Sequence, residues 1–141
     1  MESLNSLHNL VNLDMGNISI KVVPEYMFKH NRYLVMLNAS ENQIDVLSSK
    51  SFFNLSLLVS LDLSGNNLVK LYPYTFQYLA TLQTVDLSSM FIKDIEQNAF
   101  HNLANLVSLD LEDNLLTKLP KRIFIDFVSL KVLNLRNNAL K

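Results

Sequence analysis

An apolar frame recurs six times along this chain at a fixed interval, and that regularity limits the fold more than any other property. The run from Leu58 to Leu68 reads LxxLxLxxNxL, and the same frame starts at Leu10, Leu34, Leu58, Leu82, Leu106 and Leu130, 24 residues apart with no insertion. The rest of each unit keeps the period. An apolar residue falls thirteen positions after each start (Val23, Leu47, Leu71, Ile95, Leu119), and a Phe follows five later (Phe28, Phe52, Phe76, Phe100, Phe124). Repetition at this spacing marks a stacked array in which no unit can bury its own apolar face and neighbours bury it for each other.

The period changes inside each unit. The alternating LxL predicts a short strand with one buried face, and an irregular return segment closed by the Phe follows it. Stacked about 4.7–4.9 Å apart, the strands form one parallel sheet. The first, fourth, sixth and eleventh places of each unit line the core, and the Phe column packs under the opposite, convex wall as a spine. The predicted architecture is therefore an α/β-type right-handed solenoid. It forms a single array over residues 1–141: a partial repeat at 1–9, repeats starting at 10, 34, 58, 82 and 106, and a truncated repeat at 130–141. Where each strand bends into its loop, backbone groups lose their ladder partners. An Asn supplies both donor and acceptor there, and Asn42, Asn66, Asn114 and Asn138 hold that place. Ile18 and Met90 stand in it in the first and fourth units, so their loops must be satisfied differently or be looser.

Composition removes most chemistry. The chain has no Cys, no Trp and 2 Gly, which excludes thiol nucleophiles and cysteine metal sites. Gly16 and Gly65 are isolated, so no phosphate-cradling loop exists. His8, His30 and His101 lack the spacing of a metal-ligand pair, and no hydrolase motif is present. Glu112 and Asp113 are adjacent on a turn without the apolar pocket that would raise one pKa. The expectation is a non-enzyme with no metal and no cofactor. With 12 basic against 13 acidic residues and a net charge of −1, nothing points to a nucleic-acid partner. No apolar stretch is long enough to insert this segment into a membrane, although an anchor can lie elsewhere in a longer protein.

The overall charge hides an asymmetry. Thirty positions, five per unit, point outward from the strands, and they hold seven acidic and two basic residues, a net −5; the remainder carries +4. One column reads Asp14, Asn38, Asp62, Asp86, Asp110, Asn134. It is either a solvated column, weakly repulsive at physiological salt, or part of a binding face for a basic partner. A single carboxylate per strand does not make a calcium site. Beside it, Val11, Val35, Val59 and Val107 form an outward apolar stripe, suited both to strands and to protein contact. Lys21, Lys70, Lys93 and Lys118 recur beyond the strand turn, as a solvated loop face or an anion-reading rim.

These residues resemble the leucine-rich repeat family, and the 24-residue LxxLxLxxNxLxxL…F…L unit resembles its "typical" subclass, over essentially residues 4–141. That subclass is common in animal extracellular proteins, among them Toll-like receptors, relaxin- and glycoprotein-hormone-type receptors and neuronal adhesion proteins. The resemblance implies a receptor or adhesion ectodomain at the cell surface that recognises a protein ligand or co-receptor on its concave face. The candidate contacts are Asp14, Asn38, Asp62, Asp86, Asp110, Asn134, Val59, Val107 and Glu112. An intracellular, cytoplasmic scaffold or enzyme regulator and a structural spacer are the alternatives, because the fold does not give the function. The family's arrays carry terminal caps, and neither is found here, so the chain is expected to be a fragment of a longer protein. Three N-x-[ST] sequons, at Asn17, Asn38 and Asn54, would be candidate glycan acceptors in a secreted protein. Asn38 lies on the inner face, where a glycan would obstruct binding.

Overall fold

The structure, a computed structural model, describes residues 2–141. A 3₁₀ turn, Glu2–Ser6, leads into eight strands: β1 (Asn12–Asp14), β2 (Met36–Asn38), β3 (Ser60–Asp62), β4 (Lys70–Leu71), β5 (Thr84–Asp86), β6 (Asp94–Ile95), β7 (Ser108–Asp110) and β8 (Val132–Asn134). Six of these form one parallel sheet in the order β1-β2-β3-β5-β7-β8, and each strand pairs with the next unit's at an offset of 24 residues. The chain is a right-handed solenoid with this sheet on its concave side.

Each strand of this sheet is three residues long because the units alternate for only that long. The central residue points inward, and Leu37, Leu61, Val85 and Leu109 are buried. Leu63, Leu68, Leu87, Leu111 and Leu116 complete the inner layer. Burying each such side chain contributes about 1.5–3 kcal/mol, and they share one continuous core.

The ladder continues past the strands. Ala39, Leu63, Leu87 and Leu111 each donate their N–H to the carbonyl that ends the next strand, at 2.8–2.9 Å. Two residues later the backbone enters the left-handed region in every unit, at Asn17, Glu41, Gly65, Ser89, Asp113 and Asn137, with φ between 52° and 68°. Asn, Asp and Gly tolerate that conformation best.

The return segments are turns, with no α-helix among the described residues; β4 and β6 pair there as a second, two-stranded parallel sheet. Phe28, Phe52, Phe76 and Phe100 are fully or almost fully buried. Phe52 and Phe76 stack at 6.1 Å between centroids, and Phe76 and Phe100 at 5.9 Å. Phe124 departs from the expected spine. It is 40% exposed, and Phe100 meets Phe127 instead, at 5.5 Å. Phe124 tilts against Phe127 at 5.8 Å.

Candidate functional site on the concave face

The Asn residues bridge successive units. Asn42 Oδ1 accepts the N–H groups of Ile18 and Ile20, and its Nδ2 donates to the carbonyls of Met15, Ala39 and Ser40. Asn66 joins Ile44 N–H to the carbonyls of Ala39 and Leu63. Asn114 and Asn138 repeat the pattern two and three units beyond Asn66. At Met90 the bridge is missing: the side chain is buried, and the Leu68 N–H that an Asn there would satisfy makes no hydrogen bond. Ile18 is exposed. This scaffold fixes the spacing of the outward side chains.

The acidic column lies in register along the strand ends: Asp14 beside Asn38, Asn38 beside Asp62, Asp62 beside Asp86, Asp86 beside Asp110, and Asp110 beside Asn134. Its members are also turn caps. Each accepts the N–H two residues on through Oδ1: Gly16 to Asp14 at 3.0 Å, Ser40 to Asn38 at 2.9 Å, Ser64 to Asp62 at 2.9 Å, Ser88 to Asp86 at 2.9 Å, Glu112 to Asp110 at 2.8 Å, and Arg136 to Asn134 at 3.1 Å. Such Asx turns supply the bend from strand to loop. Two hydroxyls reinforce them, Ser64 to Asp62 at 2.7 Å and Ser88 to Asp86 at 2.6 Å. The Asp-Leu-Ser spacing carried this signal; reading the column only as charge missed it.

The ends of the column are electrostatically quiet. Asn38 Nδ2 donates to Asp14 Oδ1 at 3.0 Å. Asn134 Nδ2 donates to Asp110 Oδ2 at 3.2 Å and to Glu112 Oε2 at 2.9 Å, and Arg136 Nε lies 3.5 Å from Glu112 Oε1. The middle differs. Asp62 and Asp86 stand on paired strands, and neither has a hydrogen-bond partner for its second carboxylate oxygen nor a salt bridge. The Glu41 carboxylate, packed over Gly65, adds a third negative charge nearby.

Val59 and Val107 flank this region half-buried, whereas Val11 and Met36 are exposed. At the first strands the face holds a shallow depression of about 390 Å³, lined by Asp14, Met36, Asn38, Ser60 and Asp62 among others. Among the described residues no group of His, Asp and Glu is placed to hold a metal ion.

The flanking lysines are not uniform. Lys70 reaches Asp94 at 3.5 Å and Glu96 at 2.5 Å. Its hydrogen bond to Glu96 is the main reason its pKa lies above the ordinary lysine value. It bridges the two strands of the small sheet and is therefore occupied, and neither a freely solvated loop residue nor a free anion contact. Of the sequon residues, Asn38 has both side-chain atoms engaged on the inner face. Asn54 Nδ2 donates to the Lys29 carbonyl at 2.9 Å, and Asn17 is exposed.

The model of the family described as "Leucine rich repeat" matches residues 8–68, 40–89 and 80–140. No curated protein matches. Among solved structures, the chain is similar to a chain of a TLR13–ssRNA13 complex, at 29% identity and a TM-score of 0.81, covering 99% of this chain and 23% of that one. It is similar to a chain of the Drosophila Toll–Spatzle complex at 25% identity and a TM-score of 0.89, covering 96% and 20%. It is similar to the APL1 leucine-rich repeat domain at 27% identity and a TM-score of 0.88, covering 98% and 36%. The chain thus spans between a fifth and about a third of each of these solved proteins. With the repeat frame, the Asn bridges and the stacked parallel strands in agreement, this chain belongs to the leucine-rich repeat family.

Proposed function

We propose that this chain is a protein-binding module of a cell-surface receptor or adhesion ectodomain, whose concave face takes a Lys- or Arg-bearing segment of a protein ligand or co-receptor. The observation that carries this reading is the Asp62–Asp86 pair. Each side chain is held in one orientation by its turn hydrogen bonds, and each leaves one carboxylate oxygen without a protein partner. A guanidinium or ammonium presented there would gain charge-assisted hydrogen bonds at little ordering cost, since the acceptors are already fixed. Val59 and Val107 supply apolar contact beside them. Two of the similar solved structures hold a ligand, ssRNA in one and Spatzle in the other, which supports a receptor role. The acidity of this face opposes a phosphate backbone, so the ligand read here is a protein.

The test replaces Asp62, Asp86 and Asp110 together by Asn. Amide oxygens keep accepting the turn N–H groups, so the fold is retained while the charge is lost. The probe is a short peptide of alternating Arg and Val residues, followed by calorimetry at low and physiological salt. The expected result is a loss of affinity of about tenfold or more and a flatter salt dependence. Unchanged affinity moves the site off the concave face. No binding by either form favours a structural spacer.

A further inference from the structure

On the edge of the solenoid where the return segments lead back to the strands, the partial first repeat and the two units after it build a pocket of about 500 Å³. Its wall brings together Lys29, His30, Arg32 and Tyr33 from one unit with His8 and Asn9 from the unit before and Asn54 from the unit after. No acidic residue lines it, in a chain that is net acidic overall. We propose that this pocket is a binding site for the sulfate-bearing sugar of an anionic saccharide.

The donors are arranged rather than scattered. Arg32 lies over the Tyr33 ring, 4.8 Å from its centroid, and its Nη2 donates to the Tyr33 hydroxyl at 2.8 Å, which restrains the guanidinium. The His8 and His30 rings meet edge to face at 5.8 Å and offer N–H donors in either protonation state. Lys29 adds a second fixed positive charge, and a planar guanidinium beside an ammonium suits a tetrahedral oxyanion. Asn9 and Asn54 supply amide groups for sugar hydroxyls. Arg32 already occupies a face of the Tyr33 ring, so the pocket offers little stacking surface for a nucleobase; this favours a saccharide over a nucleic acid.

One buried residue ties the two halves of the wall together. The place held by Leu55, Leu79 and Leu103 in the next units is Asn31 in the first, and it is fully buried. Its Nδ2 donates to the carbonyls of Leu4 and Leu7 at 3.0 Å each, pinning the segment that carries His8 and Asn9 against the segment that carries Lys29 and Arg32. Its Oδ1 is buried without a partner, which is unfavourable for stability. Leu would serve the core better, so Asn31 acts as a positioning residue for the pocket.

The experiment is calorimetric titration of the chain with a fully sulfated heparin tetrasaccharide, alongside an unsulfated tetrasaccharide and a single-stranded oligoribonucleotide of equal charge. The Lys29→Ser/Arg32→Ser pair should weaken sulfated-saccharide binding about tenfold. The Lys121→Ser/Arg122→Ser pair, an equal charge change at exposed positions elsewhere, should leave it unchanged. Asn31→Leu should lower affinity while leaving the melting temperature equal or higher. Equal loss in both Ser pairs reduces the interaction to general charge and overturns the site, as does absence of binding by the unaltered chain. Tighter, Lys29/Arg32-dependent binding of the oligoribonucleotide overturns the saccharide assignment. The Asp62, Asp86 and Asp110 replacements lie on the other face and should leave saccharide binding intact, so either proposal can fail alone.

Discussion

The Asp86 carboxylate holds Ser88 twice, through the backbone N–H at 2.9 Å and the hydroxyl at 2.6 Å, both on Oδ1. One oxygen therefore shapes the turn while the other is left for a partner. Asp86→Ala should destabilise the array by about 1 kcal/mol, the net value of a turn hydrogen bond. Asp86→Asn should be close to neutral. Urea titration of the two variants separates the structural part of this side chain from its charge; equal losses would mean that the charge, not the cap, is what stability feels.

The Asn bridges set a second contrast. Asn66→Ala orphans a buried N–H and loosens two buried carbonyls, and should lower stability by about 3 kcal/mol or more. Met90→Asn runs the other way. It would give the unbonded Leu68 N–H an acceptor and restore the bridge between the third and fourth units, for a gain of about 1 kcal/mol after the lost Met packing. A shift of the urea midpoint upward checks it. A downward shift would show that the loop around Met90 has settled into a packing that needs the thioether.

Aromatic stacking predicts its own gradient. Phe76 is buried between Phe52 and Phe100, so Phe76→Ala should cost about 3–5 kcal/mol. Phe124 is 40% exposed, and Phe124→Ala should cost about 1 kcal/mol or less. Thermal melting of both variants measures the difference.

How much of this was legible beforehand follows from what a period can encode. The strands, the Leu core and the bridging role of Asn42, Asn66, Asn114 and Asn138 could be read because each repeats at one place and depends only on its neighbours 24 residues away. The Asx turns at Asp62 and Asp86 were equally local, but their charge drew attention from their geometry. Phe124 could not be placed from its own column, since Phe127, which meets Phe100 in its stead, holds a place where no other unit has a Phe. Lys70 looked like a solvated loop residue because its partners, Asp94 and Glu96, recur in no other unit. The edge pocket was hidden for the same reason: His8, Lys29, Arg32 and Asn54 hold different places in their units, and only stacking brings them together.

The sequons differ in what a glycan would disturb. Asn17 is exposed at the rim of the sheet, whereas a glycan on Asn54 would sit at the mouth of the edge pocket and strain the hydrogen bond to Lys29. Expressed through a secretory pathway, the chain should carry a glycan on Asn17, and Asn17→Gln should remove one glycan mass. Occupancy of Asn54 should weaken saccharide binding. Intact-mass spectrometry of the variants reads the occupancy directly.

Gly65 tests the left-handed turn that every unit shares. At φ +68° a side chain is strained, and a Cβ there would also collide with the Glu41 carboxylate. The atoms met are the far end of a flexible side chain, which swings aside at little cost, so Gly65→Ala should destabilise by the left-handed penalty of about 1 kcal/mol. A Glu41→Ala background removes the collision, and the cost of Gly65→Ala should be the same there. A cost that falls in the Glu41→Ala background would show that the Glu41 carboxylate is held over the third unit, as a fixed third negative charge beside Asp62 and Asp86.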